Sequence, residues 1–158
     1  MKLKEGDLFE IKIADNIFSY GQIISTFKKK ALTIVIFEGQ YTERPNVNDI
    51  INEKILLFGN TFDAKFYHGD WIAFDNNKSN LSGIRLPYYK IGIDPIYVED
   101  FYENKIRKAN KDDINKLKYR DYIAPVRLES ALKAYYKYLD WNEVFDELLY
   151  DKLVLDFR

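Results

Sequence analysis

Two apolar runs separated by a two-residue Asp15-Asn16 turn, Leu8 to Ala14 and Ile17 to Thr26, constrain this chain more than any other feature. Alternation of apolar and polar residues on both sides of a turn that tolerates a left-handed residue is the signature of a β-hairpin. The chain therefore opens on an antiparallel pair, and later segments must cover the apolar face of that pair. Ala31 to Glu38 (ALTIVIFE) supplies the next strand. It is short, β-branched and almost continuously apolar, as expected of a central strand. Ile55 to Phe58 and Trp71 to Phe74 read as further strands, with a loop over Asp63 to Asp70 between them, and Ile84 to Leu86 reads as a short strand ending at Pro87. Gly39 to Asn52 is a connection with one helical turn near Val47 to Ile51.

Beyond about Gly92 the pattern becomes helical. Asn110 caps a helix running to about Lys118, with Asp113 near the exposed amides of its first turn. Pro125 suits a first helical turn, and Leu128, Ala131, Leu132, Tyr135 and Leu139 recur at the spacing of one apolar face. Asp140 followed by Glu143 has capping-box spacing and predicts a restarted helix whose face is Val144, Phe145, Leu148 and Leu149. Leu153 to Phe157 alternates weakly and is expected to return as an edge strand. Strands first and helices last predict an α+β fold, with an antiparallel, strongly bent or barrel-like amino-terminal sheet and carboxy-terminal helices packed against it. We expect a single domain over 1–158, β-rich over 1–98 and helix-rich over 99–158.

Composition narrows the function. The chain has no cysteine, which removes disulfides, thiol catalysis and thiolate metal sites. The amino terminus lacks the apolar core of a signal peptide and no stretch is long enough to span a bilayer, so a cytoplasmic protein with no membrane partner is expected. The lone histidine, His68, lies near Asp63 and Asp70, but one imidazole is a poor basis for a transition-metal site, and its context is that of a loop beside a turn glycine. No phosphate-binding glycine loop and no nucleophile elbow is present. Lys2, Lys4 and the run Lys28 to Lys30 can contribute to a nucleic-acid surface with sheet aromatics. The net charge of −1 and pI of 5.9 argue against that partner.

Two features point toward protein recognition. Thirteen tyrosines bring the aromatic content to 16%, and tyrosine is enriched at binding hot spots. Charge is also segregated. Lys105, Arg107, Lys108, Lys111, Lys116, Lys118 and Arg120 outnumber Asp112 and Asp113 in one segment. Asp140, Glu143, Asp146, Glu147, Asp151 and Asp156 outnumber Lys152 in another. Such clusters steer oppositely charged partners, unless the two segments pack together and neutralise one another.

Gly6, Asp7, Phe9 and Ile11, then Tyr20-Gly21-Gln22, Phe37, Gly69-Asp70-Trp71 and Leu86-Pro87, together with the closing amphipathic helix, resemble the immunity protein 26 family of bacterial polymorphic toxin systems. Lys12 and Asn16 depart from that pattern, where the family often has a proline and a hairpin glycine. Physically, Gly6 and Gly21 would permit tight backbone, Phe9 and Trp71 would fill the core, and Asp7 would cap or close a turn. The resemblance implies a non-catalytic cytoplasmic protein that binds and occludes a cognate toxin domain, with neither cofactor nor metal, and it leaves the oligomeric state open. The expected toxin surface is the acidic face of Asp140, Glu143, Asp146 and Glu147 with Tyr136 and Tyr150, and next Tyr41, Tyr88 and Tyr89. Alternative readings are a small-barrel protein- or nucleic-acid-binding module, and a hydrolase using His68 with carboxylates.

Overall fold

In the computed structural model, which describes residues 2–154, the opening hairpin forms as β1 (Asp7–Ala14) and β2 (Ile17–Ser25). Asn16 takes a φ of 56°, the left-handed conformation that this turn demands and that asparagine tolerates. Three more strands, β3 (Leu32–Phe37), β4 (Ile55–Thr61) and β5 (Trp71–Asn76), extend the pair into a five-stranded antiparallel sheet of order β4-β3-β2-β1-β5. The sheet is open, with β4 and β5 as its edges, and not a closed barrel. Every residue of β3 is buried because this central strand is covered on both faces, which explains its continuous apolar run.

One face carries Phe9, Ile11, Ile23, Ile34, Ile36, Leu57 and Trp71. It is covered by α2 (Ala64–Tyr67) through Phe66, by α4 (Pro125–Tyr135) through Leu128, Ala131 and Leu132, and by a 3-10 helix (Glu143–Leu148) through Phe145 and Leu148. Leu8, Tyr20, Val35, Phe37 and Phe58 line the other face, under Ile50 of α1 (Val47–Ile51), Phe101 and Tyr89. Tyr89 belongs to a second sheet of order β6-β7-β8, made of Tyr89–Ile91, Tyr97–Glu99 and Lys105–Lys108. Arg120 ties this sheet down. Its guanidinium lies 4.3 Å from the Tyr89 ring centroid, donates to the Phe101 carbonyl at 2.8 Å and pairs with buried Glu99 at 3.4 Å.

The Asn110 cap is present. Asn110 and Asp113 form a reciprocal capping box at the start of α3, Lys111–Lys116. Several expectations need correction. The loop over Asp63 to Asp70 contains the four-residue α2. Ile84 to Leu86 is not a strand but half-buried coil, and the strand begins after Pro87, at Tyr89. The part read as helix-rich contains β8. Helix α4 ends at Tyr135, so Tyr135 and Leu139 are exposed and not on its buried face. The cap of the following turn is Asn142, whose side chain accepts from the Val144 amide at 3.0 Å, and Val144 points to solvent. Leu153 ends a short helix, α5 (Tyr150–Leu153), and the rest of the expected edge strand lies outside the described residues apart from Val154, which is not in a strand.

Trp71 joins these layers. It is 1% exposed, stacks on Phe9 at 5.2 Å, meets Phe66 edge-on, and donates from Nε1 to Glu129 Oε1 of α4 at 3.1 Å. Trp71→Ala should destabilise the protein by about 3–5 kcal/mol, because both the ring volume and its packing are lost. Denaturant unfolding checks this; a loss below about 1 kcal/mol would contradict the anchoring role.

Candidate functional site

The residues of the family-like pattern sit under the sheet as scaffold. Gly6 has a φ of +89°, and its amide donates to the Ile23 carbonyl at 2.7 Å. A Cβ at Gly21 would run into the ring of Phe9, its cross-strand partner, so that position needs glycine. Asp7 accepts from the Lys4 amide and from Asn76 Nδ2, both at 2.9 Å, and so closes the turn and clasps β5. Gly69 has a φ of +78° after α2.

The acidic candidates lie on a shoulder built by the end of α4. Lys137 takes a φ of 68°, its amide donates to the Ala134 carbonyl, and the Tyr138 amide reaches back to the Lys133 carbonyl. This is a Schellman stop with lysine at the position usually held by glycine. The chain then turns over the carboxy end of β3. Tyr135 Oη donates to Glu38 Oε1 at 2.9 Å and Tyr138 Oη to Gln40 Oε1 at 3.0 Å. Trp141 packs edge-on against Phe145 at 5.4 Å and donates from Nε1 to Asp146 Oδ1 at 2.9 Å. Because Phe145 and Leu148 point inward, Glu143, Val144 and Glu147 are turned out to solvent. Asp140, Glu143 and Glu147 are exposed, as are the rings of Tyr135, Tyr138 and Trp141, and half-buried Asp146 is joined to Trp141. Exposed rings that bond to carboxylates, as Tyr135 does to Glu38 and Trp141 to Asp146, suit contact with a cationic protein surface.

The two tyrosines assigned with them are placed differently. Tyr136 is half-buried beneath the shoulder, and its hydroxyl accepts from the Gly39 amide at 2.5 Å. Tyr150 packs on the opposite face of the sheet, beside Phe58, and donates to the Arg85 carbonyl at 2.7 Å. Of the reserve candidates, Tyr89 is buried at 1% exposure and accepts from Asn60 Nδ2, so it is closed to a partner. Tyr41 donates to Glu53 Oε1, and Tyr88 is half-buried. Sequence reasoning missed Tyr135, Tyr138 and Trp141 as surface groups. The signal would have been a helix stop after Tyr135, which no glycine announces.

His68 is exposed at the end of α2, with the Tyr67 ring edge-on at 5.3 Å, while Asp70 pairs with Lys65 at 3.8 Å. Among the described residues no group of three metal-ligating side chains converges. The basic segment is held largely by nearby acids: Arg107 pairs with Asp113, Lys116 with Asp112 and Lys118 with Asp121.

The fold is that of a small α+β protein with an open antiparallel sheet packed on both faces. The chain belongs to the immunity protein 26 family, whose sequence model matches residues 4–96. The match ends before β7, so the second sheet's last two strands, α3, α4 and the acidic shoulder stand outside it. No curated protein and no solved structure matches the chain.

Burial raises the phenol of Tyr136 to about 12, as it does those of Tyr20 and Tyr89. A phenol raised above its ordinary value of 10 favours the folded state below pH 10, and that contribution is lost as pH climbs toward 12. Stability should therefore be flat from neutral pH to about 10 and fall from there to about 12. Tyr136→Phe should make that fall shallower while costing about 1 kcal/mol at neutral pH, since the Gly39 amide loses its acceptor. Denaturant melts across pH check both; an unchanged alkaline slope would show Tyr136 titrating as an ordinary surface phenol.

Proposed function

We propose that the protein is a non-catalytic immunity protein that binds a cognate bacterial polymorphic toxin in the cytoplasm and neutralises it by occlusion. The observation that carries this reading is membership of the immunity protein 26 family over residues 4–96. No helix among the described residues is long and apolar enough to cross a membrane, which is compatible with meeting the toxin inside the cell.

The acidic shoulder is the toxin contact in this reading. Rigid aromatic groups at a surface give contact area at small entropic cost, and the surrounding carboxylates raise the encounter rate with a basic partner. A toxin that acts on nucleic acid would present such a basic cleft around its phosphate-binding groups, and covering it would suffice for inhibition. The shoulder stands outside the region that the family model matches.

Co-expression with its cognate toxin should protect cells, and the two proteins should purify together. Glu143→Lys with Glu147→Lys should slow association about tenfold or more at low salt and weaken protection, with folding nearly unchanged because both side chains are exposed. Asp146 is left intact in this variant because it holds Trp141. Association rates at low and high salt check the contact, and an unchanged rate would move it off the shoulder. A wild-type protein that fails to bind the toxin would overturn the immunity reading itself.

A further inference from the structure

The two ends of β3 carry opposite chemistry. Its carboxy end leads through Glu38 and Gln40 to the acidic shoulder. At its amino end, about 25 Å away along extended chain, opens a cavity of about 710 Å³. Lys2, Lys28, Lys29, Lys30, Asp63 and Tyr67 are among its lining residues.

We propose that this cavity binds single-stranded nucleic acid, with Lys2, Lys29 and Lys30 on the phosphates and Tyr67 stacking on a base. The sequence scatters these residues over sixty-odd positions, and the fold gathers them. Lys28 is occupied by Glu103, and Asp63 is the one carboxylate in the lining, so the local field is positive although the whole chain carries −1. The cationic groups of the lining are ammoniums with no guanidinium among them. Each ammonium is a compact point charge on a flexible stem that can pair with successive phosphate oxygens.

The aromatic groups favour the same ligand. Tyr67 stands 80% exposed at the rim, with its backbone pinned by the Asp63 carbonyl at 2.9 Å. Two further exposed pairs stand next in sequence to lining residues: Phe27, edge-on to Tyr102 at 5.4 Å, precedes Lys28, and Phe62, stacked with Tyr122 at 6.1 Å, precedes Asp63. Lysines interleaved with exposed rings form the platform on which single strands bind without sequence preference. The inference goes beyond the immunity reading and does not depend on it.

Fluorescence anisotropy with a labelled oligouridylate of about twelve nucleotides tests it. The wild type should bind at about 50 mM salt and weaken steeply toward 200 mM. Lys29→Ala with Lys30→Ala should lower affinity about tenfold or more and reduce the salt slope by about 1.4, two phosphate contacts' worth. Tyr67→Ala should lower affinity about tenfold at unchanged slope. Lys108→Ala with Lys111→Ala, which removes the same charge elsewhere, should change little. Absent binding, an equal effect of the Lys108/Lys111 pair, or indifference to Tyr67→Ala would each overturn the proposal. So would equal affinity for a polyglutamate peptide of the same length, which would mark the cavity as a contact for acidic protein.

Discussion

The Phe9 ring lies over the bare backbone of Gly21 on the neighbouring strand, and the Trp71 indole lies flat on Phe9. These three residues come from β1, β2 and β5, so the stack sets the register of half the main sheet. Phe66 closes it from α2, and Glu129 of α4 accepts the hydrogen bond of the indole N–H while pairing with Lys65. A side chain at Gly21 would lift Phe9, and with it Trp71 and the seat of α4. The position of that helix then decides where Tyr135 and the shoulder beyond it come to rest. The placement of the exposed rings beyond α4 thus depends on aromatic packing near the sheet's centre.

Much of the sheet was legible because its signals are local. The Asp15-Asn16 turn, the β-branched run of β3 and the Asn110–Asp113 capping box each carry their own physical cause within a few residues. The second sheet was not legible. Its strands are three to four residues long, too short for a periodicity to register, and they are held by contacts distant in sequence such as Arg120 with Glu99. Ile84 to Leu86 has strand-like apolarity but packs against the core as coil, because burial alone does not create a ladder partner.

The candidate surface was half legible. Its four acids could be read as a cluster, but the rings among them could not. A helix that stops on a left-handed lysine gives no warning in the sequence, so Tyr135 and Leu139 look like continuations of a buried stripe. Conversely, Tyr136 and Tyr150 look free to bind and are committed to the Gly39 amide and the Arg85 carbonyl. Tyrosine is ambiguous in this way wherever a ring is buried and only its hydroxyl decides the role. The family match covers residues 4–96, and the segments that carry the shoulder lie beyond it.

Occlusion by a bound protein and destruction by an enzyme differ in stoichiometry. Titrating a fixed amount of active toxin with this protein and following residual toxin activity separates them. The account predicts a linear fall that ends at a fixed molar ratio and does not progress with time. Complete loss of activity at a small fraction of that ratio, advancing as the mixture ages, would mean turnover and contradict it.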